Sequence, residues 1–355
     1  MKALQMFFSL VAIIFGLITF LVVLGLLLVT IFDFKPAPKK RIEIENPLPS
    51  VKLQSNTLQL MSWNIGYCGL GKEMDFFYDA GKMVRPDQAS YEKYFSKVRD
   101  FLDQNKSLDF ILLQEVDAFS KRSYRNNQVG LLANDLNQFC HSFAKNYDVP
   151  FVPLPPNNPM GRVKSGLLSF AKTTPFEAER ISFPGNFAWP KSLFMLDRCF
   201  LVQRFKSFGN KDLVLINTHN SAFDDGQLRR RQLEVLKKFV LNEYDNGNYV
   251  IVGGDWNQNP PGYMPEEITS GNLATINDQG NIPVDFMPSG WTWAYDPKNP
   301  TNRSVEFAYK PLSTQTSIID FFLLSPNIKL NKVNCINLDF EASDHNPVLM
   351  NINLK

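Results

Sequence analysis

The pentapeptide Ser343-Asp344-His345-Asn346-Pro347 decides the fold of this 355-residue chain, once four other motifs are compared with it. Each of those motifs stands at the end of a short apolar run and delivers an Asn, Glu, His or Asp there. They are Ser62-Trp63-Asn64-Ile65, Gln114-Glu115-Val116, Thr218-His219-Asn220 and Gly253-Gly254-Asp255-Trp256-Asn257. Because short apolar runs of this kind predict strands, the five polar clusters are expected to meet at the rim of a β-sheet sandwich.

The residue types in these motifs suit the hydrolysis of a phosphoester. Negative phosphate oxygens repel a nucleophile, so an enzyme supplies a cation, a group that handles the attacking water and donors for the developing charge. Hard cations such as Mg²⁺ take oxygen ligands, often one or two carboxylates with waters. Glu115 follows a buried strand directly, and Asp255 and Asn257 share one face if the backbone stays extended. The pattern predicts chemistry that depends on Mg²⁺ or Mn²⁺.

Two of the three histidines in the chain fall inside these motifs. A single histidine is usually structural, but His345 follows Asp344 directly, and Asp320 begins a further apolar run. These positions predict imidazoles that are oriented by carboxylates, as in many hydrolytic sites. His141 lies in a stretch with helical spacing and is given no role.

Taken in order, the motifs resemble the endonuclease/exonuclease/phosphatase superfamily, which includes pancreatic-type DNases, apurinic-site nucleases, inositol polyphosphate phosphatases and neutral sphingomyelinases. The resemblance covers about residues 58–355. A short motif such as Ser-Trp-Asn is weak by itself, but the complete ordered set is specific. The resemblance implies an α+β fold, a four-layered α/β sandwich in which two packed β-sheets are flanked by helices.

The resemblance also implies roles for the matching residues on the metal side of the site. Glu115, with help from Asn64, would hold the divalent metal, and Asp344 would be a further carboxylate on the metal or water side. Asp255 would move a proton on the attacking water or the leaving group. Asn257 would orient the phosphate.

For the histidines, the resemblance implies that His345 bonds the phosphoryl oxygen or acts as the base, with its tautomer set by Asp320. His219 matches a position where the DNase-like, phosphatase and sphingomyelinase branches carry His, whereas apurinic-site nucleases tend to carry Tyr. Two arginines are weaker candidates for substrate phosphate. Arg229 begins an R-x-x-Q helix start, for which a solvated helix end is the favoured alternative, and Arg303 is the last residue of the P-T-x-x pattern over 300–303.

The amino-terminal stretch predicts a membrane anchor. Residues 6–32 carry no charge and are dominated by Leu, Ile, Val and Phe, which suits a helix that spans a hydrocarbon core of roughly 30 Å. A cleaved signal peptide would have a shorter apolar region and a small-x-small cleavage site. We therefore predict a transmembrane anchor over 1–34, a linker rich in Pro and charge over 35–57 that acts as a tether, and a catalytic domain over 58–355.

The side of the membrane that carries the domain stays open. Lys2 precedes the apolar stretch, and more positive residues follow it: Lys35, Lys39, Lys40 and Arg41. Counting these charges keeps the domain in the cytoplasm. A short amino terminus ahead of a long apolar run is also typical of anchors that export the downstream domain, and of the two we favour the extracytoplasmic side. The basic cluster either attracts anionic headgroups or only marks the end of the span.

The composition of the chain limits the classes of binding partner that we expect. The net charge is only +2, so no strong positive field attracts nucleic acid. The four cysteines form no C-x-x-C pair and are predicted to be free thiols.

Three functions remain: a tethered hydrolase of a phospholipid or small phosphoester, a DNase-like nuclease, and a binding module without catalysis. We favour the first, with phospholipid before DNA as substrate, the membrane bound through the helix, and a monomeric protein.

Two aromatic segments are ambiguous. The insertion over residues 66–82 is either a lid or lipid-dipping lip, or a loop that packs on the sandwich, and residues 291–295 pose the same choice.

Spacing predicts helices over 91–104, 126–143 and 229–243. The predicted strands cover 58–63, 110–114, 165–171, 199–205, 213–218, 249–253, 318–324 and 347–352.

Overall fold

The computed structural model describes residues 1–222, 226–264 and 280–355. The helices are α1 (Lys2–Ile31), α2 (Gln88–Gln104), α3 (Gln128–Asp135) and α4 (Gln227–Asp245). The strands are β1 (Lys39–Arg41), β2 (Thr57–Asn64), β3 (Phe110–Asp117), β4 (Cys140–Val152), β5 (Gly161–Ala171), β6 (Glu177–Ser182), β7 (Cys199–Lys206), β8 (Asp212–His219), β9 (Tyr249–Asp255), β10 (Thr292–Ala294), β11 (Asn302–Arg303), β12 (Thr316–Ser317), β13 (Asp320–Leu324), β14 (Ile328–Cys335) and β15 (Val348–Leu354).

Two large mixed sheets pack face to face. One has seven strands in the order β1-β6-β7-β8-β9-β13-β10, and the other has six in the order β14-β15-β2-β3-β5-β4. Each sheet contains one parallel pair, β2 with β3 and β8 with β9, and α2 and α4 are the crossovers that join them. Parallel strands need such a crossover, because the end of one strand and the start of the next lie at opposite edges of the sheet.

The core has three layers of apolar contact. Leu60 and Leu112 from one sheet meet Leu215 and Phe322 from the other in the central layer. On the outer faces, α2 packs on the six-stranded sheet and α4 packs on the seven-stranded sheet. This arrangement is the predicted four-layered sandwich of the α+β class.

Most predicted elements are confirmed, and one is wrong. Residues 126–143 form the short helix α3 and then the start of β4, so His141 lies in a strand. The apolar spacing of Leu132, Leu136 and Phe139 continues a helical period beyond the helix end. Local spacing could not reveal that residues 140–152 pair with β5 and complete the edge of the sheet.

α1 is long and apolar enough to cross a membrane, and none of its residues is buried. The stretch after it, predicted as a tether, lies along the domain. β1 extends the seven-stranded sheet beside β6, Glu45 and His141 exchange backbone hydrogen bonds of 2.9 and 3.0 Å, and Leu53 is buried in the central core. The segment is extended, as its Pro and charge content suggests, but it is bound to the domain for much of its length.

The aromatic cluster over residues 291–295 is part of the outer core. Trp293 packs at ring-centroid distances of 5.3 Å from Trp256 and 5.7 Å from Phe321, and Trp291 lies 5.6 Å from Tyr244 of α4. These contacts resolve the ambiguity for this segment in favour of packing. The four cysteines are buried free thiols.

Candidate active site

Strand direction brings the five motifs to one edge of the sandwich. The parallel pairs carry Asn64 and Glu115 to the carboxyl edge of one sheet, and His219 and Asp255 to the carboxyl edge of the other. The antiparallel partners supply their first residues at the same edges, since Asp320 pairs with Asp255. Seven side chains therefore form a cluster that we call the floor: Asn64, Glu115, His219, Asp255, Asp320, Asp344 and His345.

Asn64 connects the two sheets. Its Nδ2 donates to Asp255 Oδ2 at 3.0 Å and to Glu115 Oε1 at 3.3 Å, while its Oδ1 accepts from the backbone N of Gly66 at 3.0 Å. In this orientation the amide holds two carboxylates in place and its oxygen is already bonded. Asn64, predicted to help hold a metal, thus orients Glu115 and Asp255.

Glu115 sits at an irregularity in β3. Its φ is +54°, and the pairing with β5 shifts register between Leu113 and Val116. A non-glycine residue with positive φ is uncommon and stores strain, which is found at functional sites more often than elsewhere. The bulge turns the carboxylate into the cleft, where its side chain is 25% exposed.

Asp255 is the most connected carboxylate of the floor. Its Oδ1 accepts from the backbone N of Asn257 at 2.9 Å, and its Oδ2 lies 3.3 Å from Nε2 of His219. Burial raises the pKa of Asp255 to about 7, and the neighbouring Asp320 contributes to the rise. Burial, with nearby Arg198, lowers the pKa of His219 well below its usual range. His219 is therefore neutral near pH 7, and Asp255 is placed to exchange a proton.

His345 and Asp320 form a buried dyad. His345 Nδ1 lies 2.8 Å from Asp320 Oδ2, and its Nε2 lies 3.0 Å from Nδ2 of Asn302. Burial alone would lower the pKa of His345, but Asp320 and Asp344 outweigh it and raise the pKa to about 10. Asp320 and Asp344 thus favour the protonated imidazole, and Asp320 sets its orientation through Nδ1.

Asp344 occupies the other side of the floor, against Gly66. Its Oδ1 accepts from the hydroxyl of Ser343 at 3.3 Å, and burial raises its pKa. Gly66 has a φ of +50°, and a Cβ built there would lie 2.8 Å from Asp344 Oδ1. The turn after Asn64 therefore requires glycine for its backbone conformation and for the space that Asp344 occupies.

The donor set fits a hard divalent cation. Asp255, Asp320 and His345 each offer a ligand atom within 4.8 Å of one another, but His345 and Asp320 are already bonded to each other. Glu115 and Asp344 add carboxylates that line the cleft. Oxygen-rich sites with carboxylates suit Mg²⁺ or Mn²⁺ better than softer metals.

The two predicted arginines have structural partners. Nη2 of Arg303 donates to the carbonyls of Leu70, Gly71 and Met74 at 3.1, 2.8 and 3.1 Å, so the guanidinium holds the insertion. Nη1 of Arg229 donates to the carbonyl of Asn257 at 3.2 Å, below the floor. Arg303 also lines the cleft, and contact of either arginine with a substrate phosphate stays a prediction.

Sequence reasoning missed Arg198. This residue lines the cleft, its Nη1 is buried, and no hydrogen-bond partner for that atom exists within residues 1–222, 226–264 and 280–355. Burial lowers its pKa, and the carboxylates of Glu115 and Asp255 oppose the shift. Arg198 immediately precedes β7, which runs antiparallel to β8, so it reaches the same edge as His219. A charged residue just before an apolar strand was the available signal.

The floor lies in a cleft with a volume of about 640 Å³. The insertion over 66–82 forms one wall: its first part is buried, and Tyr67 stacks under the guanidinium of Arg122 at 3.7 Å. Phe76 and Tyr78 continue the wall to the rim. The insertion thus packs on the sandwich, as one predicted alternative has it, and also lines the cleft.

Solved structures of low sequence identity share this fold. The endonuclease/exonuclease/phosphatase from Beutenbergia cavernae DSM 12333 has a TM-score of 0.54 at 17% identity, over 84% of this chain and 72% of that one. The protein of the same description from Bacteroides vulgatus has 0.54 and 17%, over 84% and 99%. Humanized D. rerio TDP2 has 0.53 and 17%, over 84% and 100%. Among curated protein sequences, none is significantly similar to this chain.

The family assignment comes from the sequence match and agrees with the geometry. The model of the Endonuclease/Exonuclease/phosphatase family matches residues 61–345, a range that includes every residue of the floor. The same range supplies most strands of the two mixed sheets whose edges carry that floor. This chain belongs to the Endonuclease/Exonuclease/phosphatase family.

Proposed function

We propose that this protein is a membrane-anchored, divalent-cation-dependent hydrolase of a phospholipid headgroup or another small phosphoester. Members of its family are phosphoester hydrolases that generally use divalent metal ions, and this chain keeps the full set of floor residues. The anchor is α1, and the expected state is a monomer.

The residues that line the cleft support the proposed class of substrate. Its polar floor is walled on one side by aromatic and apolar side chains, among them Phe76, Tyr78, Tyr147 and Leu196. A cavity of about 640 Å³ falls in the range of pockets that enclose small ligands. An aromatic wall suits the apolar part of a phosphoester better than it suits a polyanion, for which a basic groove would be expected.

The floor residues divide the chemistry between them. A bound divalent cation, held by Glu115 with Asp344, would neutralise the phosphate and lower the pKa of a bound water. Asp255, with its raised pKa, would accept the proton of the attacking water. The imidazolium of His345 would donate a hydrogen bond to a phosphoryl oxygen. Arg198 would bind a second phosphate oxygen.

A nuclease is the second candidate, and one comparison favours it. D. rerio TDP2 has been solved in complex with a single-strand DNA product, and its fold matches this chain with a TM-score of 0.53 at 17% identity. The net charge of +2 and the aromatic wall weigh against a nucleic acid here.

Parallel assays of the full-length protein in detergent separate the two candidates. The substrates would be sphingomyelin and phosphatidylcholine in mixed micelles, inositol phosphates and plasmid DNA, each with Mg²⁺ and with EDTA. We expect Mg²⁺-dependent cleavage of a lipid or small phosphoester with the plasmid intact. Nicking of the plasmid alone would replace the proposal with the nuclease.

A further inference from the structure

The end of α1 is joined to the catalytic domain by a very short connection. α1 ends at Ile31, while the carbonyls of Ala37 and Pro38 already accept hydrogen bonds from Ser182, at 3.2 Å from its Oγ and 2.8 Å from its N. An extended chain gains about 3.3–3.6 Å per residue, so residues 32–36 keep Ser182 within roughly 20 Å of the helix end. The domain cannot move far from a membrane that holds α1.

The segment after Ser182 lies between the helix end and the cleft. Residues 185–191, which we call the lip, follow β6 and precede β7. Residues 185–187 line the cleft, and the indole Nε1 of Trp189 donates to the hydroxyl of Thr30 in the last turn of α1 at 3.4 Å. The same short loop therefore touches both the substrate cavity and the membrane helix.

The side chains of the lip are those that favour a membrane interface. Trp189 is 62% exposed, and the ammonium of Lys191 lies 3.9 Å from the ring centroid of Phe187. Trp is enriched where headgroups meet acyl chains, and Lys extends its charge from an apolar stem into the headgroup layer. Phe32, next to the helix end, is also a large apolar side chain and is 70% exposed.

We infer that the lip is a membrane-docking surface, and that its occupant is the lipid bilayer in which α1 is inserted. Docking places the mouth of the cleft at the headgroup layer, so that a lipid phosphoester enters from the bilayer past residues 185–187. This inference rests on the proposed function for the identity of the substrate, but the contact itself exists whether or not the protein is a hydrolase.

Tryptophan quenching tests the contact without any assay of activity. The full-length protein would be reconstituted into phosphatidylcholine vesicles with and without brominated acyl chains. Trp63 and Trp256 are buried, and Trp291 and Trp293 are half-buried in the outer core, which leaves Trp189 as the exposed reporter. We expect quenching in the wild type that is largely lost in Trp189→Phe and retained in Trp293→Phe. Equal quenching in the wild type and Trp189→Phe would overturn the inference.

Kinetics of the same preparations test the consequence for turnover. Trp189→Ala should lower hydrolysis of a vesicle lipid about fivefold or more, while hydrolysis of a soluble phosphodiester stays within about twofold. The matched control is Phe208→Ala, an exposed aromatic at the β7–β8 turn on the opposite edge of the sheet, and it should change neither rate. An equal loss on both substrates would contradict docking. If the wild type hydrolyses neither, the proposed function fails, and the quenching result still decides the inference.

Discussion

The floor and the walls of the cleft are built by different means. The floor residues sit at strand ends, where the register of two sheets fixes them: His219 pairs with Asp255, and Asp255 pairs with Asp320. The walls include two loop segments, the insertion over 66–82, which Arg303 holds, and residues 185–187 of the lip. A sheet edge places charges to a fraction of an ångström, whereas loops vary without disturbing it. Under the proposed function, the floor would carry the chemistry and the walls would select the substrate.

The largest effect should come from the floor. In the proposed mechanism His345→Ala removes a hydrogen-bond donor to the phosphoryl oxygen, and loss of one such donor costs on the order of 10²–10³ in kcat. We expect kcat on a soluble phosphodiester to fall about 10³-fold, with a far-ultraviolet circular dichroism spectrum like that of the wild type. A well-folded variant that keeps more than about a tenth of the activity would remove His345 from the chemistry.

Substitutions of Arg198 test whether its guanidinium, which lines the cleft beside the floor, contacts the substrate. Its buried Nη1 has no partner in the described part of the chain, so a substrate phosphate would complete its hydrogen bonds. Arg198→Met should lower kcat/KM about 10–100-fold, mainly through KM, and Arg198→Lys should recover part of the loss because it restores a charge without the planar fork. Equal KM values in the wild type and Arg198→Met would show that the guanidinium does not touch substrate.

A substitution of Gly66 tests whether the position of Asp344 in the floor depends on the turn that begins the wall. Gly66→Ala combines a positive φ with a contact on Asp344, whereas Gly209→Ala has a φ of +67° and nothing within 4 Å. Backbone strain of this kind costs roughly 1–3 kcal/mol in either variant. Urea unfolding should place Gly66→Ala below Gly209→Ala in stability, and only Gly66→Ala should lose activity. Identical behaviour of the two variants would mean that Asp344 is free to move.

The smallest effect concerns a half-buried carboxyl beside the lip, that of Asp197. Burial raises the pKa of Asp197 to about 6, and Asp33 at the end of α1 contributes to the rise. The folded state thus holds this proton more tightly than the unfolded chain does, and its contribution to stability is lost as pH rises from about 4 through about 6. We expect the melting temperature of Asp197→Asn to fall less than that of the wild type between pH 4.5 and 7. Parallel curves would contradict this coupling.

The sequence predicted the floor better than the walls for a physical reason. Residues such as Asn64, Glu115 and Asp255 follow short apolar runs, so a local pattern marks them as strand ends that share an edge. Arg198 precedes its strand, and its role depends on an antiparallel pairing that no local pattern reveals. Arg303 was a candidate for phosphate binding through its P-T-x-x pattern, and no local pattern shows that its Nη2 donates to carbonyls of residues 70–74, which are remote in sequence.

The packing of the linker was missed for a similar reason. Residues 35–57 lack apolar periodicity, but backbone pairing with β6 and single buried side chains such as Leu53 need none. The helix predicted over 126–143 failed because pairing with β5 prevailed over local spacing. Both cases involve contacts between segments far apart in the chain, which composition and period do not encode.

The most direct test of the account measures hydrolysis of a soluble phosphodiester by the full-length protein as Mg²⁺ is varied, for the wild type and for Glu115→Gln. Removal of one carboxylate that faces the cation should weaken its binding at the floor. We expect no turnover in EDTA, saturation with Mg²⁺ in the wild type, and a half-saturating concentration at least about tenfold higher in Glu115→Gln. Turnover that persists in EDTA, or identical Mg²⁺ curves for the two proteins, would contradict a cation-dependent site built on Glu115.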